Sequence, residues 1–390
     1  MIKGMVRAAA AAAGAAALVA AGVAVAAENG TDVLQRDADA IRDTGTTGVL
    51  AEVSTGDRVR KVRSGVADLG TREPVPWDAY YRIGSNTKTF VATVLLQLVG
   101  EGKVRLDDPV ERWLPGLVKG NGNDGRKISV RRLLQHTSGL YDYSYYLPQD
   151  IDHTPETYRR VRFRSYQPER LVRMAMRHAP SFKPWQPQGR GKWEYSNTNY
   201  ILAGMIIQKA TGNPWEHEVH ERIIAPLGLK DTYNPGSSAY VPRPRATFYE
   251  RFKPGGPLVD VSIMSDGHAD GATISTTSDV NRFFRALLGG KLLRPAELAE
   301  MRGTVPAEPW AVLYKDAGYG LGLAKRRLPC GGWAWYHGGS MFGVASVNSV
   351  TPDGRAGVEI MLPTQPGTQE GKLAQLKAAT TLIDHALCGQ

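Results

Sequence analysis

Hydrophobic and polar positions change period along this chain, and the changes mark out its elements. Between residues 48 and 68, Val49, Ala51 and Val53 alternate, a Ser54-Thr55-Gly56-Asp57 turn follows, and Val59, Val62 and Val66 continue beyond it. A period near two on both sides of a turn predicts a hairpin of short strands. Residues 71–81 form a Pro-rich connection. From 87 to 99, Phe90, Val91, Val94, Leu95, Leu96 and Leu98 surround a helical circumference that stops at Gly100 and Gly102. Such a segment predicts a buried central helix.

From about 108 to 270 the pattern reads as helices joined by long, Pro- and aromatic-rich loops. The candidate helices are 130–135, 169–177, 199–211 and 214–224, with 278–288 just beyond, where Ser278 is the expected N-cap. The Tyr141-Asp142-Tyr143 loop and the 179–191 stretch are expected to face substrate. Strands return at 320–325, 332–336, 343–349 and 358–362, and the chain closes with a helix at 371–387. This order predicts an α+β (mixed α/β) fold, an antiparallel sheet flanked by helices with an inserted all-α subdomain and no internal repeat. The expected division is a sheet domain from 28–108 and 272–390, and a helical subdomain at 109–271.

Residues 1–27 are set apart from that fold. Lys3 and Arg7 precede an apolar stretch over 8–25, and Ala24-Val25-Ala26 offers small residues for cleavage, the layout of a secretory signal. A retained membrane anchor is the weaker reading, because the stretch is marginal for a span and no Lys/Arg cluster follows it. The expectation is a secreted protein without a stable membrane anchor. In an oxidising compartment Cys330 and Cys388 are expected to pair, which stabilises by about 4 kcal/mol in the chain-entropy model.

The 390 residues carry a formal net charge of +10. The densest basic run, Arg159, Arg160, Arg162 and Arg164, continues through Arg170, Arg173 and Arg177 at helical spacing, without a nucleic-acid-binding motif. A solvated helix face accounts for it, and no nucleic-acid partner is expected.

Three short motifs carry candidate chemistry: Ser85-Asn86-Thr87-Lys88, Tyr195-Ser196-Asn197 and His337-Gly338-Gly339. Ser85 opens the central helix, where free N–H groups and the positive dipole end favour the charge that develops in acyl transfer. Lys88 lies on the same helical face and can reach the hydroxyl. Deprotonating an ordinary lysine at neutral pH costs roughly 4 kcal/mol, so burial or nearby positive charge is expected to help it act as a base. Tyr195, held near ammonium groups, is expected to ionise more easily and relay protons, and Asn197 to hydrogen-bond substrate amide. Gly338 and Gly339 let a strand approach substrate, and the N–H near Ser340 is expected to complete an oxyanion hole with that of Ser85.

Other patterns fail on spacing. Glu216-His217-Glu218-Val219-His220 has its histidines three apart where a zinc helix needs four, and Gly318-Tyr319-Gly320-Leu321-Gly322 lacks dinucleotide-loop spacing. No G-x-S-x-G elbow is present. No metal and no cofactor is expected.

The three motifs, with the phrases Tyr81-Arg82-Ile83-Gly84-Ser85, Leu133-Leu134-Gln135-His136-Thr137-Ser138-Gly139-Leu140, Tyr195-Ser196-Asn197-Thr198-Asn199-Tyr200 and Tyr319-Gly320-Leu321-Gly322-Leu323, resemble the serine β-lactamase and penicillin-binding protein superfamily. The branch is that of class C β-lactamases, and the greatest similarity is to secreted D-alanyl-D-alanine carboxypeptidases. That resemblance implies an acyl-enzyme on Ser85, with Lys88 and Tyr195 as base and acid, and His337 where class C enzymes have lysine. It implies peptidoglycan stem peptides or another small acyl donor as substrate, and β-lactams as covalent inhibitors, in a monomer. Related carboxypeptidases hold the substrate carboxylate with an arginine and a hydroxyl that match Ala324 and Gly338 here. Arg326, two residues on and sharing a strand face with Ala324, is the expected replacement. The alternatives are a related esterase, amidase or β-lactamase, and a poorly catalytic penicillin-binding or wall-binding module.

Overall fold

A computed structural model of the chain describes residues 33–147, 152–186, 191–265 and 267–389; the expected leader at 1–27 and part of the 179–191 loop lie outside them. The chain enters through helix α1 (33–43) and the hairpin foreseen from the alternation, β1 (Gly48–Thr55) and β2 (Arg58–Gly65). Strand periodicity sorts β1: Val49, Ala51 and Val53 enter one core cluster and Leu50 another. Helix α2 (Thr87–Gly100) is buried around almost its whole circumference. Each fully buried Leu or Phe in it contributes roughly 2 kcal/mol of transfer free energy.

Helix α3 (Thr198–Thr211) packs beside α2 and ends at Gly212, whose φ of 81° suits glycine. The insertion is not purely helical. Strand β3 (Tyr249–Arg251) pairs with Leu258–Asp260 within it. Helix α4 (Thr277–Leu288) is capped by Thr276, whose hydroxyl accepts from the Asp279 N–H, and not by Ser278. Ser278 instead donates to Glu52 on β1 at 2.5 Å.

The remaining strands are β4 (Ala324–Arg327), β5 (Trp333–Tyr336), β6 (Gly339–Met341), β7 (Val344–Val350), β8 (Ala356–Leu362) and β9 (Thr364–Gln365). The strand expected at 320–325 starts only at Ala324. Gly322 turns the chain at φ 75°, where a Cβ would lie 2.5 Å from Ala92 of α2. Among the described residues the main sheet has nine strands, all antiparallel, ordered β2-β1-β8-β7-β5-β4 and then two short strands, with β6 beside β7. Strand β9 instead joins β3 in parallel, pairing Gln365 with Glu250.

Helix α5 (Gln369–Cys388) and α1 cover one face of the sheet, where Leu34, Ile41, Leu382 and Ile383 meet Val347, Val358 and Ile360. The other face carries α2, α4 and the insertion. The expected disulfide is present: Cys330 and Cys388 are joined with their Cα atoms 5.8 Å apart, tying the β4–β5 turn to the end of α5. Among the described residues no helix is long and apolar enough to cross a membrane.

Candidate active site

Gly84–Asn86 form a single tight turn that runs directly into α2. Gly84 has φ 53°, and a Cβ on it would lie 2.8 Å from the Ser340 nitrogen; a Cβ on Gly339 would lie 1.9 Å from the Ile83 carbonyl oxygen. Only residues without side chains permit this approach. It sets the Ser85 and Ser340 backbones side by side, as an oxyanion hole requires.

Lys88 is fully buried. Its Nζ donates to Ser85 Oγ at 3.0 Å, to Asn197 Oδ1 at 2.7 Å and to the Asp270 carbonyl at 2.6 Å. Three acceptors match the three donors of an ammonium. Asn197 is itself held by Asp142, whose Oδ2 accepts from its backbone and side-chain N–H groups at 3.1 and 3.0 Å. Burial raises the Asp142 pKa against those hydrogen bonds and the nearby Lys88.

Tyr195 is half-buried, and desolvation of its hydroxyl raises its pKa despite the opposing pull of Lys88 and Ser85. It is therefore a neutral phenol at rest, not the readily ionised group expected from the sequence. Its ring stacks on His136 with centroids 4.3 Å apart. Nδ1 of His136 accepts from the Ser196 N–H at 3.2 Å and faces Asn199 Nδ2 at 3.0 Å, which assigns the proton to Nε2. Burial drives the His136 pKa well below the ordinary range, so a neutral ring backs the phenol.

His337 is also buried and neutral, its pKa pushed down to about 3 by burial and then by Lys88. Nδ1 donates to the Gly338 carbonyl at 2.7 Å, and Nε2 accepts from Tyr319 Oη at 2.9 Å. It holds the position foreseen for it but supplies no positive charge. The His337 N–H donates to Asn348, which donates to Asn86, which donates to Ser346 Oγ. The chain ends on Glu359, which accepts from Ser346 at 2.5 Å and Tyr81 at 2.8 Å. Burial pushes Glu359 up to about 8, so it is mostly protonated at neutral pH. This network ties the Ser85 turn to the His337 strand.

The structure does not bring Arg326 into the cleft. Its side chain is buried beneath the Tyr314 ring, with Nη1 2.7 Å from Asp384 of α5 and the guanidinium 5.2 Å from the ring centroid. Ala324 does share its face, as the alternation required, but it packs among Tyr314, Tyr319 and Tyr336, and neither side chain lines the cleft. Ser85, Tyr195, Asn197, His337, Gly338, Gly339 and Ser340 all line the cleft, and Lys88 forms its floor. Sequence reasoning missed the supporting residues Asp142, His136, Asp270 and Glu359. His136 and Asp142 lay within phrases that it quoted, whereas nothing local marked Asp270 or Glu359.

The cleft opens on two sides of Ser85. On the Tyr195 side is a space of about 730 Å³ walled by Trp310, Val312, Leu313, Tyr314 and Tyr336. On the Asn197 side is one of about 260 Å³ with Asp270, Glu250 and His153 in its wall. Ser340, Gln365 and the half-buried Lys372 border both. Among the described residues no cluster of His, Cys, Asp and Glu fits a metal.

Comparison with known proteins gives both sequence and fold relatives. The family model described as Beta-lactamase matches residues 7–382. The chain is 29% identical over 288 residues to penicillin-binding protein 4 of Amycolatopsis lactamdurans, covering 70% of each. Its fold superposes on a D-stereospecific amidohydrolase from Streptomyces sp. with a TM-score of 0.80 and 40% identity, covering 92% of this chain and 98% of that one. A D-amino acid amidase from Ochrobactrum anthropi SV3 in complex with D-phenylalanine gives 0.78 and 29%, covering 93% and 98%.

Proposed function

Because this chain belongs to the beta-lactamase family, we propose that it is a serine hydrolase that cleaves amides of D-configured acyl donors through an acyl-enzyme on Ser85. The observation that carries this reading is the leaving-group side of the cleft. It is walled by aromatic and aliphatic side chains, and Arg326 is committed to Asp384. A small neutral leaving group such as ammonia or an amine needs no carboxylate anchor there. The likeness to a D-stereospecific amidohydrolase supports the same reading.

The geometry supports the following steps. Ser85 Oγ attacks the carbonyl as its proton passes into the Lys88–Tyr195 pair, and the oxyanion forms against the Ser85 and Ser340 N–H groups. Ammonium and phenol together hold one proton too many for a base, so the active form has lost one proton from the pair as a whole. Tyr195, on the leaving-group side, returns the proton to the departing amine, and water then resolves the ester. β-Lactams acylate the same oxygen, and the exported location foreseen from residues 1–27 remains part of the proposal.

A second reading, D-alanyl-D-alanine carboxypeptidase, is favoured by Lys372. It is the one cation among the described residues bordering the leaving-group space, and it can face a carboxylate. The test is release of ammonia from D-phenylalanine amide and of D-alanine from a peptide ending in D-Ala-D-Ala, each with a Ser85→Ala control. Ser85-dependent ammonia release with little D-alanine supports the amidase. Efficient D-alanine release that Lys372→Ala selectively weakens replaces it with the carboxypeptidase.

A further inference from the structure

The smaller space, on the acyl side of Ser85, has a wall that the chemistry of acyl transfer does not use. Asp270 is 7% exposed and Glu250 is 3% exposed, yet both border this 260 Å³ cavity. Asp270 Oδ2 accepts from Tyr143 at 2.8 Å, whereas Oδ1 is buried with no hydrogen-bond partner among the described residues. Glu250 Oε2 accepts from the Gly343 N–H at 2.8 Å, and Oε1 lies 3.5 Å from the partly exposed His153.

Their placement is set by backbone. The Asp270 carbonyl accepts from Lys88, so its side chain stands one residue from the catalytic floor. Glu250 pairs in parallel register with Gln365, whose amide donates to Ser340 Oγ at 2.7 Å. The two carboxylates therefore reach this cavity from different segments, one next to the Lys88 contact and one next to the Ser340 strand. A buried carboxylate oxygen without a donor costs free energy, and native structures keep such groups when a ligand completes them.

Charge points to the ligand. The cavity wall carries two buried carboxylates, with Lys372 at its border, the His153 ring 3.5 Å from Glu250, and Lys88 beneath, donating to the Asp270 carbonyl. Asp270 Oδ1 still lacks a donor, and a primary ammonium, with three donors and a positive charge, is the group that complements it in a cavity also bordered by Glu250. We propose that the acyl-side cavity is an ammonium subsite in which Asp270 and Glu250 hold a cationic amine of the acyl donor. This rests on the acyl-enzyme reading above and extends it to a substrate class: donors with a free amine on the acyl side, either on the α-carbon or one residue farther from the reacting carbonyl.

Two matched pairs test it. D-Phenylalanine amide and its N-acetyl derivative differ by the charge on the α-nitrogen, and kcat/KM is compared. Ampicillin and benzylpenicillin differ by an amine farther out, and the rate of Ser85 acylation is followed by mass. The wild-type chain is expected to favour the ammonium-bearing member of at least one pair by about tenfold or more, the size of one charge-assisted hydrogen bond. In Glu250→Gln and Asp270→Asn, both checked by thermal unfolding, that ratio is expected to fall toward one. The pair that shows the ratio identifies the position of the amine.

Ratios near one in both pairs overturn the subsite, as does a wild-type preference that survives both substitutions. If Glu250→Gln does not fold, Asp270→Asn decides. If neither amide is cleaved but ampicillin keeps a preference that the variants lose, the subsite stands and the D-amide reading falls. Equal cleavage of both amides with no preference between the penicillins has the opposite meaning.

Discussion

His337 shows how far a residue's identity falls short of its chemistry. The motif placed it in the cleft, and there it stands, but the Gly338 carbonyl and the Tyr319 hydroxyl occupy both ring nitrogens of a buried side chain. Its folded pKa of about 3 lies below the ordinary 6.5. The stabilisation it contributes is therefore complete above about pH 6.5 and is lost as pH falls toward 3, up to roughly 5 kcal/mol. Urea unfolding of His337→Gln at pH 7, 5 and 4 is expected to show a shallower acid limb than wild type; an unchanged limb refutes a neutral buried imidazole. Glu359 has the opposite sign. Its folded pKa of about 8 exceeds the ordinary 4.5, so its contribution is complete below pH 4.5 and declines as pH rises through 8. Glu359→Gln is expected to flatten that alkaline decline. The types of these residues are plain in the chain, but their protonation depends on burial, which no short motif encodes.

At the scale of an element, β4 obeyed its alternation and still misled. Ala324 and Arg326 do share a face, but that face lies behind Tyr314, itself a wall of the cleft, and Arg326 ends on Asp384 of α5. Arg326→Ala leaves Asp384 without its ion-pair partner. The expected cost is about 1–3 kcal/mol, below the range for a fully buried pair because Asp384 keeps some contact with solvent. In kinetics, KM is expected to change alike for a D-amino-acid amide and a peptide ending in D-Ala-D-Ala. A selective rise for the peptide restores Arg326 as a carboxylate anchor. The helices were easier to read. The α2 pattern, apolar on all sides and stopped by glycine, placed its ends almost correctly because burial and stop signals are both local. The α4 cap moved from Ser278 to Thr276 because Ser278 is drawn to Glu52 on β1.

Across the whole molecule, the first and last quarters of the chain meet in one sheet, and the Cys330–Cys388 bond fastens α5 to it. Helix α5 brings Asp384 to Arg326 and Lys372 to the cleft, so the disulfide secures both fold and substrate surface. A Cys330→Ser, Cys388→Ser double variant is expected to lose about 4 kcal/mol of unfolding free energy, measured by denaturant titration under oxidising conditions. A loss well under 1 kcal/mol shows that the sheet holds α5 unaided. By itself the sequence determined the hairpin, the buried helix, the antiparallel fold class, the pairing of the cysteines and the choice of Ser85, Lys88 and Tyr195 as the proposed reacting groups. Those depend on local periodicity, spacing and residue chemistry. Only the tertiary structure decided that Tyr195 and His337 rest neutral, that Arg326 serves the sheet, and that Asp270 and Glu250 face one cavity. Burial and charge pairing arise between segments far apart in the chain, and the sequence pattern of neither segment contains them.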